Sequence, residues 1–154
     1  MKVFLDMDGV LADFDKPILD KFGTKEKWNN RWELLPKDFF RKLPKMPDAD
    51  DLTDYVGGQF DWHVLTAIPT QNEFANSRLQ KMQWLFEHYK IYPARIHCVF
   101  RSEKQYFAAE ENLSPNLLVD DNLDNIAEFK AKGGIAIHHT SAENSIRELQ
   151  QLGF

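Results

Sequence analysis

The sequence predicts an α/β fold, a Rossmann-like parallel sheet with helices on both faces. Three observations predict it. Short apolar, β-compatible runs recur at 3–5, 62–67, 95–100, 116–119 and 135–137. Segments with helical spacing or helix caps separate them, and strands alternating with helices of this length indicate parallel pairing through crossovers. Several of the runs end in polar or acidic residues. In a parallel sheet the carboxyl ends share one rim, where ligands bind.

Taken in order, the apolar run 3–5 reads as a buried strand that meets Asp6 and Asp8, with Gly9 free to turn the backbone sharply. Residues 11–22 have helical spacing (Leu11, Phe14, Ile18, Leu19, Phe22), but Pro17 cannot sit deep in a helix and marks a kink or the start of the helix proper. Gly23 is the expected stop. The stretch 24–47 has another character: Trp28, Trp32, Phe39 and Phe40 stand among charged residues, with Pro36, Pro44 and Pro47 as punctuation. It shows no strand alternation and reads as a small cap of short helices and loops. The expected organisation is therefore a core of 1–23 and 48–154 with the cap 24–47 inserted after the first strand.

A helix over 48–55 follows, with Asp48 or Asp50 near its N-cap and Gly57-Gly58 at its end. After the strand 62–67, a long helix is expected from Thr70 or Asn72 to about His88, with Phe74, Leu79, Met82, Leu85 and Phe86 on its apolar face. The strand 95–100 leads into Arg101-Ser102-Glu103-Lys104 and a short helix at 105–109. The strand 116–119 ends in Asp120-Asp121, and Asp121 or Asn122 caps a helix through Lys130 that Gly133-Gly134 closes. A last strand, 135–137, precedes a helix capped by Ser141 and ending near Leu152.

Composition excludes some functions. The 154 residues carry a formal net charge of -5, which argues against a protein that grips a nucleic-acid backbone, though not against a small phosphate ester. Cys98 is alone, so no internal disulfide forms, and it reads as a small buried hydrophobe. No apolar run approaches the roughly 18 residues of a membrane helix. The apolar start is too short for a signal peptide, and the expected place is the cytoplasm. None of the five histidines has zinc-site spacing.

On the predicted rim stand Asp6 and Asp8, then Thr66, then Arg101 with Lys104, then Asp120 and Asp121. These are the ingredients of phosphoryl transfer. A phosphate dianion repels a carboxylate nucleophile, and a hard divalent cation on oxygen ligands relieves that repulsion. One carboxylate can then attack phosphorus while the other moves protons.

Asp6-Met7-Asp8-Gly9-Val10 resembles motif I of the haloacid dehalogenase (HAD) phosphatase superfamily, and the run on through Ala12-Asp13-Phe14 resembles its 5'(3')-deoxyribonucleotidase branch. Asp-x-Asp, Thr, Lys and an acidic pair occur in the order of the four HAD motifs. The resemblance implies Asp6 as nucleophile and Asp8 as general acid and base. It implies a phosphate cradle of the Thr66 hydroxyl, the backbone N–H groups of Ala67 and Ile68, and Lys104. It implies Mg2+ on an Asp6 oxygen, the Asp8 carbonyl and Asp121, with Asp120 behind them. The Arg-to-Lys spacing is one residue longer than the nucleotidase pattern, and the segment 105–115 extends the link to the acidic pair. Phe14 stands where that branch sets an aromatic against the base. Phe39-Phe40 resembles the return segment of its cap, and Arg101 could reach sugar or phosphate. The implied activity is a Mg2+-dependent phosphatase of (deoxy)nucleoside monophosphates, with a small-molecule nucleotide as partner, no membrane or nucleic acid, and a homodimer as an admissible assembly. The alternatives are a HAD phosphatase for a sugar phosphate or nucleic-acid end, and a non-catalytic nucleotide-binding protein on the same scaffold.

Overall fold

The computed structural model describes residues 1–70 and 76–154. Five strands form one sheet: β1 (Val3–Leu5), β2 (Trp62–Ala67), β3 (Ile96–Val99), β4 (Leu117–Asp120) and β5 (Ile135–His138). All pairings are parallel, in the spatial order β3-β2-β1-β4-β5. The chain thus builds outward from β1 on one side, then returns to start again on the other with β4. Leu5 pairs with Val64 of β2 and Val119 of β4, so the central strand is buried on both edges. The crevice at such a reversal lies outside the strands' carboxyl ends, and here that is where β1 delivers Asp6 and β4 delivers Asp120.

The period of two along each strand sorts the core onto two faces. Val3, Leu5, Val64, Leu117, Val119 and Ile137 join one buried cluster, while Phe4, Leu65, Leu118 and Ala136 join the other. The first face is covered by α1 (Asp15–Phe22), α3 (Ala49–Gly57), α4 (Ser77–Tyr89) and α6 (Ala142–Gln151), through Ile18, Leu52, Val56, Trp84, Leu85 and Leu149. The second is covered by α5 (Leu123–Ala131), through Ile126 and Phe129, with Ala108 from the preceding segment. Helices therefore flank both faces, as the alternating pattern predicts.

Most predicted boundaries hold to within a few residues, and the departures have local causes. The first helix begins at Asp15, not Leu11, so Pro17 falls in its first turn, where the missing N–H costs nothing. Residues 9–12 instead fold back on Met7, whose carbonyl accepts from the N–H groups of Val10, Leu11 and Ala12. Gly23 ends α1 with φ 81°. Residues 24–47 hold α2 (Lys25–Trp28) and 3-10 turns at Trp32–Leu34 and Phe40–Lys42. Trp28, Leu35, Phe39, Phe40 and Leu43 of this stretch join the same buried cluster as β1.

Asp48 makes no side-chain cap for α3; its Oδ2 accepts from the Ala142 N–H, 2.7 Å away, at the start of α6. The expected long helix is described from Ser77, and the predicted start at Asn72 and the apolar Phe74 lie outside the described residues. Its buried stripe is Ser77, Lys81, Trp84 and Leu85, while Leu79 and Phe86 are exposed. The expected face was thus turned, because Trp84 fills the core and its Nε1–H donates to the Leu43 carbonyl at 2.7 Å. Residues Arg101–Phe107 form a 3-10 segment beginning earlier than the predicted helix at 105–109. Asn122 caps α5 by accepting from the N–H groups of Asp124 and Asn125, and Ser141 caps α6.

Candidate active site

Strand β1 passes straight into the site. The Asp6 N–H still donates to the Val119 carbonyl at 2.9 Å, so the nucleophile candidate is an extension of the sheet and is 6% exposed. One oxygen, Oδ1, accepts from the Met7 N–H at 2.7 Å; the other, Oδ2, lies 2.8 Å from the Lys104 ammonium. Burial raises the Asp6 carboxyl well above the ordinary 3.8; Lys104 opposes this, and Asp120 and Asp8 add to it. Two residues on, Asp8 Oδ2 is 2.6 Å from the Lys81 Nζ, and Oδ1 is buried with no hydrogen-bond partner among the described residues.

Gly9 explains the sharp turn. Its φ is +79°, and a Cβ there would lie 2.2 Å from Asp121 Oδ2. The Asp121 carboxyl therefore rests directly over the glycine, although the residue as a whole is open to solvent. Burial of that carboxyl, then Asp120, pushes its pKa up to about 6. Asp120 is wholly buried and saturated. Its Oδ2 accepts from Lys104 at 2.7 Å and from Asn125 at 3.0 Å, and its Oδ1 accepts from the Asn122 N–H at 2.9 Å and again from Asn125.

Lys104 is 1% exposed and bridges Asp6 and Asp120. Burial disfavours its charge, but the two carboxylates outweigh that and leave its pKa raised. The 3-10 segment after β3 is what brings it inward, and the extra residue noted in the sequence does not keep it from the rim. Thr66, at the end of β2, is fully buried, with its Oγ1 2.9 Å from Lys81 Nζ. The Ala67 carbonyl also accepts from Lys81, at 2.7 Å. The Ile68 N–H, expected to face a phosphate, donates to the Val99 carbonyl at 2.8 Å and is held in the sheet.

Asp6, Asp120 and Asp121 each offer a carboxylate oxygen within 4.8 Å of the others. Crowded carboxylates, with Asp6 and Asp121 raised by burial, offer hard oxygen donors that fit a small divalent cation. Asp121 lines the open cleft, whereas both oxygens of the buried Asp120 are engaged behind it.

Phe14 meets Trp28, Trp32, Phe39 and Phe40 at ring-centroid distances of 5.7, 6.1, 5.4 and 6.3 Å, and Phe40 in turn lies against the Lys81 ammonium. Phe39 and Phe40 are buried, whereas Phe14 and Trp32 keep part of their rings accessible. Arg101 is committed to α5, with its guanidinium on Glu128 at 2.8 Å and Asn125 at 3.1 Å. A cleft of about 370 Å³ opens beside Asp121, lined also by Lys25, Leu123 and His138.

Sequence reasoning missed Lys81 and Asn125. Lys81 was legible only as one position of a buried stripe at i, i+4, i+7 and i+8 from Ser77. Asn125, one turn after Asp121, shares its helix face with the cap residue Asn122.

Comparison with known proteins identifies the family and the fold. Residues 19–150 match the family model described as 5' nucleotidase, deoxy (pyrimidine), cytosolic type C protein. Proteins from two strains of Staphylococcus epidermidis named "Putative 5'(3')-deoxyribonucleotidase" are 25% identical over 167 aligned residues, covering 93% of this chain and 84% of theirs. Among solved structures, a hydrolase from Streptococcus pneumoniae superposes with a TM-score of 0.57 at 14% identity, covering 97% of each chain. A haloacid dehalogenase-like hydrolase from Burkholderia xenovorans superposes at 0.52 and 18% identity, over 88% of this chain and 79% of that one. At these identities the structures support the fold alone.

Proposed function

The chain belongs to the 5' nucleotidase, deoxy (pyrimidine), cytosolic type C family and is a nucleotide phosphatase, and from that premise we propose that it hydrolyses (deoxy)nucleoside monophosphates through an aspartyl-phosphate on Asp6. The observation that carries the reading is the Asp6 carboxylate 2.8 Å from a buried Lys104, with Asp8 Oδ1, two residues on, buried and without a hydrogen-bond partner among the described residues.

Asp6 attacks phosphorus as the ester P–O bond breaks, and Asp8 gives its proton to the leaving oxygen. Asp8 then takes a proton from water, whose oxygen attacks phosphorus and releases Asp6. Lys104 holds phosphate and nucleophile together as a compact positive charge. The Thr66 hydroxyl supplies a fixed donor, and the Ala67 backbone edges the phosphate cradle. A divalent cation, Mg2+ in this reading, held by Asp6, the Asp8 carbonyl and Asp121, would neutralise the dianion that otherwise repels Asp6. Asp120 keeps Lys104 in register behind them.

On the substrate side, Phe14 and the accessible part of Trp32 are the surfaces on which a base can stack. The buried Phe39 and Phe40 support them from behind rather than offering a free face, and the Glu128 pairing keeps Arg101 from the base unless that ion pair opens. A free buried thiol at Cys98 accords with a reducing cytoplasm.

A phosphate-release screen over nucleoside monophosphates and sugar phosphates, with and without Mg2+, tests this. Mg2+-dependent release whose rate varies with the base is expected. Faster turnover of sugar phosphates than of any nucleotide would overturn the substrate assignment. Asp6→Asn should lower kcat at least about a thousandfold with the circular dichroism spectrum unchanged, as removal of a nucleophile does.

A further inference from the structure

Lys81 is a charged side chain with no exposed surface, in the middle of α4. A buried ammonium is costly unless every donor is matched. Here the match is complete: Asp8 Oδ2 at 2.6 Å, Thr66 Oγ1 at 2.9 Å and the Ala67 carbonyl at 2.7 Å. The Phe40 ring closes the remaining side, its centroid 4.6 Å from Nζ. An ammonium has three N–H donors, so Lys81 has none left for a substrate. It can act only through the groups it holds.

Those groups are the ones with directional tasks. Asp8 is tethered by Oδ2, which leaves Oδ1 buried and, among the described residues, unpartnered on the other side of the carboxyl. Thr66 Oγ1 accepts from Lys81, so its own proton must point elsewhere. We propose that Lys81 is a positioning residue that assigns the two oxygens of Asp8. Oδ2 stays on the lysine, and Oδ1 is the atom that carries the proton. In the first half-reaction the proton moves from Oδ1 to the ester oxygen while the Asp6–phosphorus bond forms and the ester P–O bond breaks. In the second, Oδ1 takes a proton from water as the water oxygen bonds to phosphorus and the Asp6–phosphorus bond breaks. Through Phe40, the same lysine ties this assignment to the aromatic stretch 24–47.

The proposal rests on the phosphatase reading, and its test separates the two. Lys81→Met keeps length and volume and removes the donors. Its kcat/KM, which reports steps through leaving-group departure, is compared for an alkyl ester (glycerol phosphate or a deoxynucleoside monophosphate) and for p-nitrophenyl phosphate. The nitrophenolate leaves with little need of a proton. The alkyl ester should lose roughly 100-fold or more, the scale of a positioned general acid, and the aryl ester less than about tenfold. Retained aryl turnover also certifies the fold and the nucleophile. Asp8→Asn should show the same pattern, and the double variant should be no worse than Asp8→Asn alone on the alkyl ester. Equal losses on both leaving groups, or losses that multiply in the double variant, would overturn the proposal. Wild type active on glycerol and aryl phosphates but indifferent to the base would sink the nucleotide reading and leave this comparison intact. Wild type inert towards every ester would overturn both.

Discussion

At the scale of single residues, Gly9 is the most constrained position in the site. Its φ of +79° would cost a side chain about 1–2 kcal/mol, and the added Cβ would collide with Asp121 Oδ2 at 2.2 Å. Gly9→Ala should therefore move the Asp121 carboxylate. The expected readout is a rise of roughly tenfold or more in the Mg2+ concentration for half-maximal activity, the scale on which displaced metal surroundings act. A lower melting temperature with an unchanged Mg2+ requirement would argue that Asp121 is no ligand. Asp6, Asp8, Thr66 and the acidic pair were legible in the sequence because each stands at or just past the end of a recognisable strand, whereas Lys104, within the 3-10 segment beyond β3, was legible only from the order of the motifs. Lys81 was not. A lysine inside a helix reads as a solvated face, and only the three acceptors converging from β1 and β2 make it a buried one.

At the scale of elements, the strands and helix caps were legible because they are local. Apolar runs mark β1 to β5, and Asn122 and Ser141 announce α5 and α6. What was not legible is where a cap-type side chain finds its donor. Asp48 looks like the N-cap of α3, yet its carboxylate serves the Ala142 N–H of α6, a partner 94 residues away. It thereby pins the two helices, which pack side by side on one face of the sheet. Asp48→Ala should cost about 1 kcal/mol, the usual loss for a cap to a helix N-terminus, read as a lower urea midpoint at unchanged m. Asp48→Asn keeps an acceptor oxygen and should retain most of it. A loss confined to the α3 signal in hydrogen exchange, with α6 untouched, would mean that Asp48 serves its own helix after all. The buried face of α4 failed for a related reason: periodicity marked the face of Leu79, Leu85 and Phe86, and Trp84 turned the helix by reaching the Leu43 carbonyl.

At the scale of the whole molecule, the reversal of strand order between β1 and β4 concentrates acids far apart in sequence, and that has a measurable thermodynamic consequence. Burial comes first among the causes that raise Asp6 and Asp121 above the ordinary 3.8, Asp121 to about 6. A carboxyl whose pKa is higher folded than unfolded binds more protons in the folded state between those two values, so stability falls as pH rises through the window. For Asp121 the window runs from 3.8 to about 6, and for the deeper Asp6 it extends to about 8. His97 and His139, lowered by burial, act with the opposite sign, since folding is favoured as pH rises towards the unfolded value of 6.5. The total profile in chelator is thus a sum of opposed contributions, but the cation isolates one of them. Bound at the carboxylates, it competes with protons there and leaves the histidines alone. The increase in melting temperature produced by Mg2+ over EDTA should therefore be small near pH 5 and grow steadily to pH 8. Because stabilisation by a bound ligand follows its occupancy and affinity for the folded state alone, the growth between about pH 5 and 6 should shrink in Asp121→Asn, where one of the competing carboxylates is gone and Asp6 alone still competes. An increment independent of pH would mean that the cation binds away from the rim on which β1 and β4 meet.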